Sequence, residues 1–214
     1  MNFIKDVKAF LACLKESKHT VWIQYFNRKD KWGHIGKNSI VHSPSIVSGR
    51  ENIFLGDNVN IDWKNVIFAV KGRFVVKRDC SFAVGCTILT DDHKPELGTR
   101  LKDLGNENLV PGEVIVDEDV WVGANCTILS GVHICRGAII GAGTCIKGKT
   151  IPPYAVVVGN PGKLIGFKLK PEEIIEHEKH LYKKDDRLPL SLLEENYKKY
   201  YLDKIEDIKI ITKL

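Results

Sequence analysis

The chain has 214 residues, 43% of them apolar and 28% charged, with a formal net charge of +5. That balance fits a folded globular protein of one or two domains and excludes a disordered or fibrous chain. The basic residues form no clustered patch of the kind a nucleic-acid binder carries, and the apolar runs fall far short of a membrane span.

Residues 2–15 read as a short amphipathic helix, with Ile4, Val7, Leu11 and Leu14 on one face. Lys5, Asp6 and Lys8 interrupt its apolar pattern and make it a poor signal peptide, so a cytoplasmic location is expected. Residues 20–34 contain Trp22, Tyr25, Phe26 and Trp32 and read as an extended cap that shields an open strand edge. Residues 1–34 thus form an N-terminal helix and cap.

From there the pattern has a period of six. Ile35, Val41 and Val47 are in step, then Leu55, Ile61 and Ile67 after a two-residue slip, then Val76, Phe82 and Ile88. The frame breaks over residues 94–115. It resumes as Val116, Val122, Ile128, Ile134, Ile140 and Ile146, with Val120, Cys126, Val132, Ala138 and Thr144 four places after the first five. Isoleucine, leucine and valine fill 60 of the 214 positions, so six in one register arise by chance on the order of once in two thousand frames; the repeat is real.

Six residues is no helical interval. It is three strand alternations, and it suits a short strand followed by a tight turn. Three such units close a triangular coil of about 18 residues, and stacked coils pair at the ordinary strand spacing of ~4.8 Å. The repeat region is expected over 35–166, with 94–115 as a loop excursion. Cys80, Cys86, Cys126 and Cys145 sit at or beside its small positions. Cysteines there read as buried free thiols. Without CxxC pairs or other ligand spacing, neither a disulfide framework nor a metal site is expected.

After Lys170 the rhythm changes, and 167–214 form a helical extension. Pro171 opens a helix with Glu172 and Glu173 in its first turn, where the dipole favours anions. Ser191 and Glu194 give a capping-box pattern for a second helix.

His93 ends the segment ILTDDH as the coil frame breaks. A histidine at such a break is a candidate general base, because imidazole titrates near neutrality. Asp91 and Asp92 are the candidates to orient its ring; the alternatives are that one binds a substrate hydroxyl or that both are turn residues. His133 and His42 are expected to point outward.

The segments VGANCTILSGVHICRGAIIGAGTCI and IPPYAVVVGNPGKLIG resemble the hexapeptide-repeat acyltransferases, nearest to the sugar O-acetyltransferase branch. The resemblance covers about 35–168 and is most specific over 116–166. It implies a mostly β fold, a left-handed parallel β-helix, against the usual right-handed crossover preference. It also implies a homotrimer with active sites between subunits and acetyl-CoA as the donor. His93 matches the family's histidine before the long loop, and Asn65 falls loosely where a substrate-contacting asparagine is placed. Trp121 matches the tryptophan near the cofactor's reactive arm or the acceptor. Gly141, Ala142 and Thr144 belong to the segment along which the cofactor runs, and Lys163 has the best match to a phosphate-contacting lysine. Where the family reads GAGSVVTKDIPP, this chain reads GAGTCIKGKTIPP, one residue longer, so Lys147 or Lys149 takes the usual lysine's place.

The implied activity is O-acetylation of a sugar hydroxyl, in bacterial surface polysaccharide synthesis. The alternatives are N-acetylation of an amino sugar or antibiotic, and a structural β-helix without turnover. A zinc-dependent β-helix enzyme is disfavoured, because no histidine trio surrounds His93 in the sequence.

Overall fold

A computed structural model describes residues 31–212, together with Val7 and Leu11. Those two are helical and exposed. The rest of the expected helix over 2–15, and the expected cap as far as residue 30, lie outside the described residues. Trp32 is buried and joins the core.

The repeat folds as a left-handed parallel β-helix of about six coils. Each turn of chain lays one short strand on each of three faces. The first face stacks His34–Ile35, Ile53–Leu55, Arg73–Val76, Glu113–Val116, Val132–Ile134 and Thr150–Ile151. The second runs from Ile40–Val41 to Ala155–Val158 and is closed by the antiparallel strand Lys163–Phe167. The third runs from Ile46–Ser48 to Cys145–Ile146. Register is set residue by residue: Ile53 and Leu55 neighbour Phe74 and Val76, and Val114 and Val116 neighbour Val132 and Ile134.

The six in-step aliphatic residues of the second repeat block, Val116 to Ile146, are buried, as are the small residues four places after the first five. Strand alternation explains why. One residue per short strand points in and stacks on its equivalent in the next coil, while its neighbour points out. The result is one continuous apolar column. Cys80, Cys86 and Cys126 lie in that column as free thiols, and burial pushes the Cys80 thiol up to about 12.

The corners between the first and second faces need left-handed backbone. Asn38, Asn58, Asp79, Asp119, Gly137 and Tyr154 supply it in stacked register, all with positive φ. Asparagine, aspartate and glycine tolerate that conformation; tyrosine seldom adopts it. At Gly137 a side chain would be doubly opposed, by a φ of +70 and by the Tyr154 ring 2.5 Å from its Cβ position.

The chain leaves the third face after Thr90 and returns at Glu113, earlier than the Val116 expected from the six-residue frame. Val114 and Val116 both point inward, a two-residue alternation that a six-residue frame overlooks. The excursion begins and ends as a hairpin, with Asp91–His93 antiparallel to Leu109–Pro111.

Three helices follow the coils: α1 (Pro171–Leu181), α2 (Leu190–Tyr200) and α3 (Ile205–Thr212). Pro171 is the first residue of α1, and Glu173 accepts a hydrogen bond from the Lys170 N–H at 2.7 Å. In α2, Ser191 lies inside the helix. Pro189 holds the capping position without a side-chain bond, so the expected capping box does not form. The third helix packs against the 163–167 strand through buried Ile208. No described helix is long and apolar enough to cross a membrane.

A buried polar network fixes the helices to the last coils. Glu178 on α1 is fully buried. Its carboxylate accepts hydrogen bonds from the Tyr154 hydroxyl at 3.1 Å, from Arg136 at 3.3 Å and from the Leu188 N–H at 2.6 Å. Arg136 also donates to the Asp186 carbonyl at 2.7 Å and lies over the Tyr182 ring, 4.1 Å from its centre. Burial next to the Glu178 charge pushes the Tyr154 hydroxyl upward, which keeps it protonated and donating.

Candidate active site

His93 stands at the end of the first hairpin strand, exposed, opposite Leu109. It shares a cleft of about 410 Å³ with Asp91. Ser48, Phe68 and Leu89 of the third face form one wall, and Asn106 and Leu109 of the excursion form the other. Asp91 and His93 reach the same cleft because residues two apart on a strand share a side. The wall residues carry no motif of their own; they are outward positions of the coil repeat.

Asp91 is held by the coil beneath it. Its carboxylate accepts three backbone hydrogen bonds, from Val70 at 2.7 Å, Lys71 at 3.1 Å and Gly72 at 2.6 Å, and a fourth from the Thr90 hydroxyl at 3.2 Å. Gly72 fits this tight base because a Cβ there would lie 2.4 Å from the Gly112 carbonyl oxygen. Asp92 points away and pairs with Lys147, Nζ to Oδ2, at 2.8 Å. The Lys147 ammonium holds the Asp92 carboxyl below the usual range, first by its hydrogen bond and then by its charge. Among the described residues neither carboxylate is hydrogen-bonded to the His93 ring. Asp91 is bonded to the 70–72 turn, and Asp92 to a lysine two coils further on.

Asn65, expected to touch substrate, is fully buried. Its amide donates to the Asp62 carbonyl at 2.6 Å and accepts from the Cys86 N–H at 2.8 Å, so it satisfies a coil corner. Thr144 is likewise buried, its hydroxyl donating to the Gly141 carbonyl at 2.5 Å.

The other candidates lie along the second face and its corner with the third. Trp121 is 54% exposed on the second face, between Ser81 and Ile139. The corner containing Gly141, Ala142 and Gly143 follows one coil on, with Ala142 exposed and open space beside Gly143. Lys149 and Lys163 line a separate cleft of about 570 Å³ between the last coil and α3, with Val157, Leu164 and Ile208 as its apolar lining. Lys149 donates to the Gly162 carbonyl at 2.8 Å, while Lys163 is exposed. One chain therefore separates the candidates. His93 and Asp91 lie at one edge of the third face, Trp121 and the 141–143 corner at the other, and the two lysines beyond the last coil.

The outer surfaces joining these groups are apolar and exposed: Ile40, Ile46, Trp63, Phe68, Val84 and Trp121.

Residues 113–148 match the family described as bacterial transferase hexapeptide (six repeats). The putative acetyltransferase YvoF of Bacillus subtilis is 33% identical over 126 residues, covering 53% of this chain and 72% of the relative. The galactoside O-acetyltransferase of Escherichia coli is 26% identical over 164 residues, covering 77% and 75%. Chloramphenicol and macrolide acetyltransferases also match. Of two further relatives, a yeast and a mycobacterial acetyltransferase, the chain spans 65% and 42% of their own length. In fold it is similar to the hexapeptide-repeat acetyltransferase VCA0836 of Vibrio cholerae, solved with acetyl coenzyme A, at a TM-score of 0.60 and 21% identity over 67% of this chain and 75% of that one.

Proposed function

From the premise that the chain belongs to the hexapeptide-repeat acyltransferase family, we propose that it transfers an acetyl group from acetyl-CoA to the hydroxyl of a sugar, with His93 as general base. The single observation that carries this reading is the placement of His93. It is an exposed imidazole on an anchored hairpin, facing a cleft, beside the excursion from the coils.

The chemistry follows from an alcohol's weakness as a nucleophile. His93 accepts the hydroxyl proton as the oxygen adds to the thioester carbonyl, and it returns that proton to the departing sulfur. Protons balance and no acyl-enzyme is needed. Asp91 acts as a positioning residue, tying the His93 strand to the 70–72 turn. A backbone N–H aimed at the developing oxyanion would supply the remaining stabilisation.

The residues present fit an extended, phosphate-bearing thioester. The open backbone at Gly143 and exposed Ala142 permit close approach, and Lys163 offers an exposed ammonium for phosphate. Thr144 is left out of this set because its hydroxyl is already bonded. Lys147 and Lys149 already hold Asp92 and the Gly162 carbonyl, and each ammonium keeps further donors for phosphate.

The separation of the candidates across the third face supports a homotrimer. A second copy set against the exposed apolar stripe would bring its Trp121 and 141–143 corner toward His93. A sugar acceptor is supported by the galactoside O-acetyltransferase relative and suits bacterial surface polysaccharide synthesis.

The test is thiol release from acetyl-CoA against a panel of sugars, amino sugars and chloramphenicol, with calorimetry of acetyl-CoA alone. Release dependent on a sugar hydroxyl is expected. Release only with amines would replace O-transfer by N-transfer, and absence of both binding and release would overturn the enzyme reading.

A further inference from the structure

The outer surface of the first face carries a cluster that acyl transfer does not use. Asp117, His133 and Cys135 bring a carboxylate oxygen, an imidazole nitrogen and a thiol sulfur within 4.8 Å of one another. None of the three lines the cleft that holds His93.

Strand register builds this cluster. Ile115 neighbours His133, and Val116 neighbours Ile134. The next residue of each coil, Asp117 and Cys135, therefore stacks on the other at the strand spacing of ~4.8 Å. Both backbones are pinned: the Asp117 N–H donates to the Ile134 carbonyl at 2.8 Å, and the Cys135 N–H to the Ile151 carbonyl at 3.0 Å. His133 lies two residues before Cys135 and so points to the same side. The three donors project from rigid coil, the placement that holds a ligand set best.

The carboxylate is already oriented. Lys77 Nζ holds Asp117 Oδ1 at 2.7 Å, and Oδ2 lies 3.0 Å from His133 Nε2. A cleft of about 450 Å³ opens beside the cluster, lined by Asp117 and Cys135 together with Glu118, Arg136 and Leu188. A plain Asp117–His133 ion pair would explain two of the three groups. It leaves unexplained a sulfur at the same point, facing an open cleft.

We propose that Asp117, His133 and Cys135 form a zinc(II) site, with three protein ligands and a fourth position open to the cleft for water. The donor set selects the metal. Mixed nitrogen, oxygen and sulfur ligands suit zinc, whereas calcium and magnesium take oxygen shells. Ligands of a tetrahedral zinc lie about 3.5 Å apart, so binding draws the most separated pair together by about 1 Å. As the sulfur–zinc bond forms, the thiol proton passes to solvent; His133 gives up the Nε2 proton it shares with Asp117 and binds as the neutral Nδ1–H tautomer, and no electron is transferred. The carboxylate and thiolate then balance the ion's charge, and Lys77 remains on the outer oxygen as a supporting partner.

The test uses the full chain, stripped with a chelator, kept reduced, and titrated with Co²⁺ and then Zn²⁺. One Co²⁺ per chain is expected, with a thiolate-to-cobalt charge-transfer band that Zn²⁺ abolishes. Zinc should also raise the thermal midpoint. Cys135→Ser should lose the band, His133→Ala should bind zinc at least tenfold more weakly, and Cys145→Ser should behave as wild type. Should Cys135→Ser fail to fold by circular dichroism, Asp117→Asn replaces it, with the same tenfold weakening expected. Wild type without saturable one-to-one binding overturns the site. So does a band that survives in folded Cys135→Ser, or unweakened zinc binding in Asp117→Asn.

Discussion

Two polar networks in this molecule use carboxylates to opposite ends. Around Glu178 the charge is fully buried, and a tyrosine, an arginine and a backbone N–H all converge on it. Around His93 the groups are half-buried or exposed: Asp91 is spent on backbone, Asp92 on one lysine, and the imidazole faces a cleft. A saturated buried network locks an arrangement, here the helices onto the last coils. The hairpin leaves its imidazole uncommitted, as a group that must exchange a proton requires. Structural and chemical roles are separated by burial, and each network can be broken without the other.

The largest effect belongs to His93→Ala. Loss of a positioned base should cut turnover by about 10²–10⁴-fold with the thermal midpoint unchanged, measured as thiol release beside a melting curve. Glu178→Ala should do the reverse. It leaves Arg136 and the Tyr154 hydroxyl without their buried partner and should cost about 3 kcal/mol of stability by chemical denaturation, while acetyl-CoA affinity of the folded protein is retained. Equal damage by both variants to both readouts would erase the distinction drawn here.

Asp91→Asn sharpens it. The amide can accept at only one atom, so the charge-assisted bonds to residues 70–72 weaken, by about 2 kcal/mol in sum. Turnover should fall with little change in acetyl-CoA affinity, because the hairpin that carries His93 is loosened and the coil corner at 141–143 is untouched.

Lys147→Ala should have the smallest effect on stability, under about 1 kcal/mol and reduced by salt, since the pair is exposed. The depressed Asp92 carboxyl sets the sign with pH. Its contribution is present above the unfolded carboxylate value, near ~3.9, and is lost as pH falls through the lower folded value. Wild type and variant should differ slightly at neutral pH and converge in acid, as urea titrations at several pH values would read.

How much was legible follows the range of the physics. The six-residue period is local, and every aliphatic it marks between Val116 and Ile146 is buried. Pro171 marks the start of its helix for the same reason. The hairpin was not legible: DDH and LVP are too short to show alternation, and pairing across the excursion holds them together. Nor were the fates of Asp91 and Asn65, whose partners lie about 20 residues away on neighbouring coils. Asp117 and Cys135 are 18 residues apart, one coil, so their stacking was readable from the period, though nothing in ordinary ligand spacing draws attention to it. Ile205–Thr212 was missed because Ile210 and Ile211 are consecutive and blur the helical stripe.

The most direct test of the account is thiol release per folded protein for wild type and His93→Ala, at saturating acetyl-CoA and with the acceptor that the wild type uses. The account predicts release lost by at least about a hundredfold, with acetyl-CoA affinity and melting temperature unchanged. Undiminished release in His93→Ala would contradict it and move the chemistry away from the hairpin.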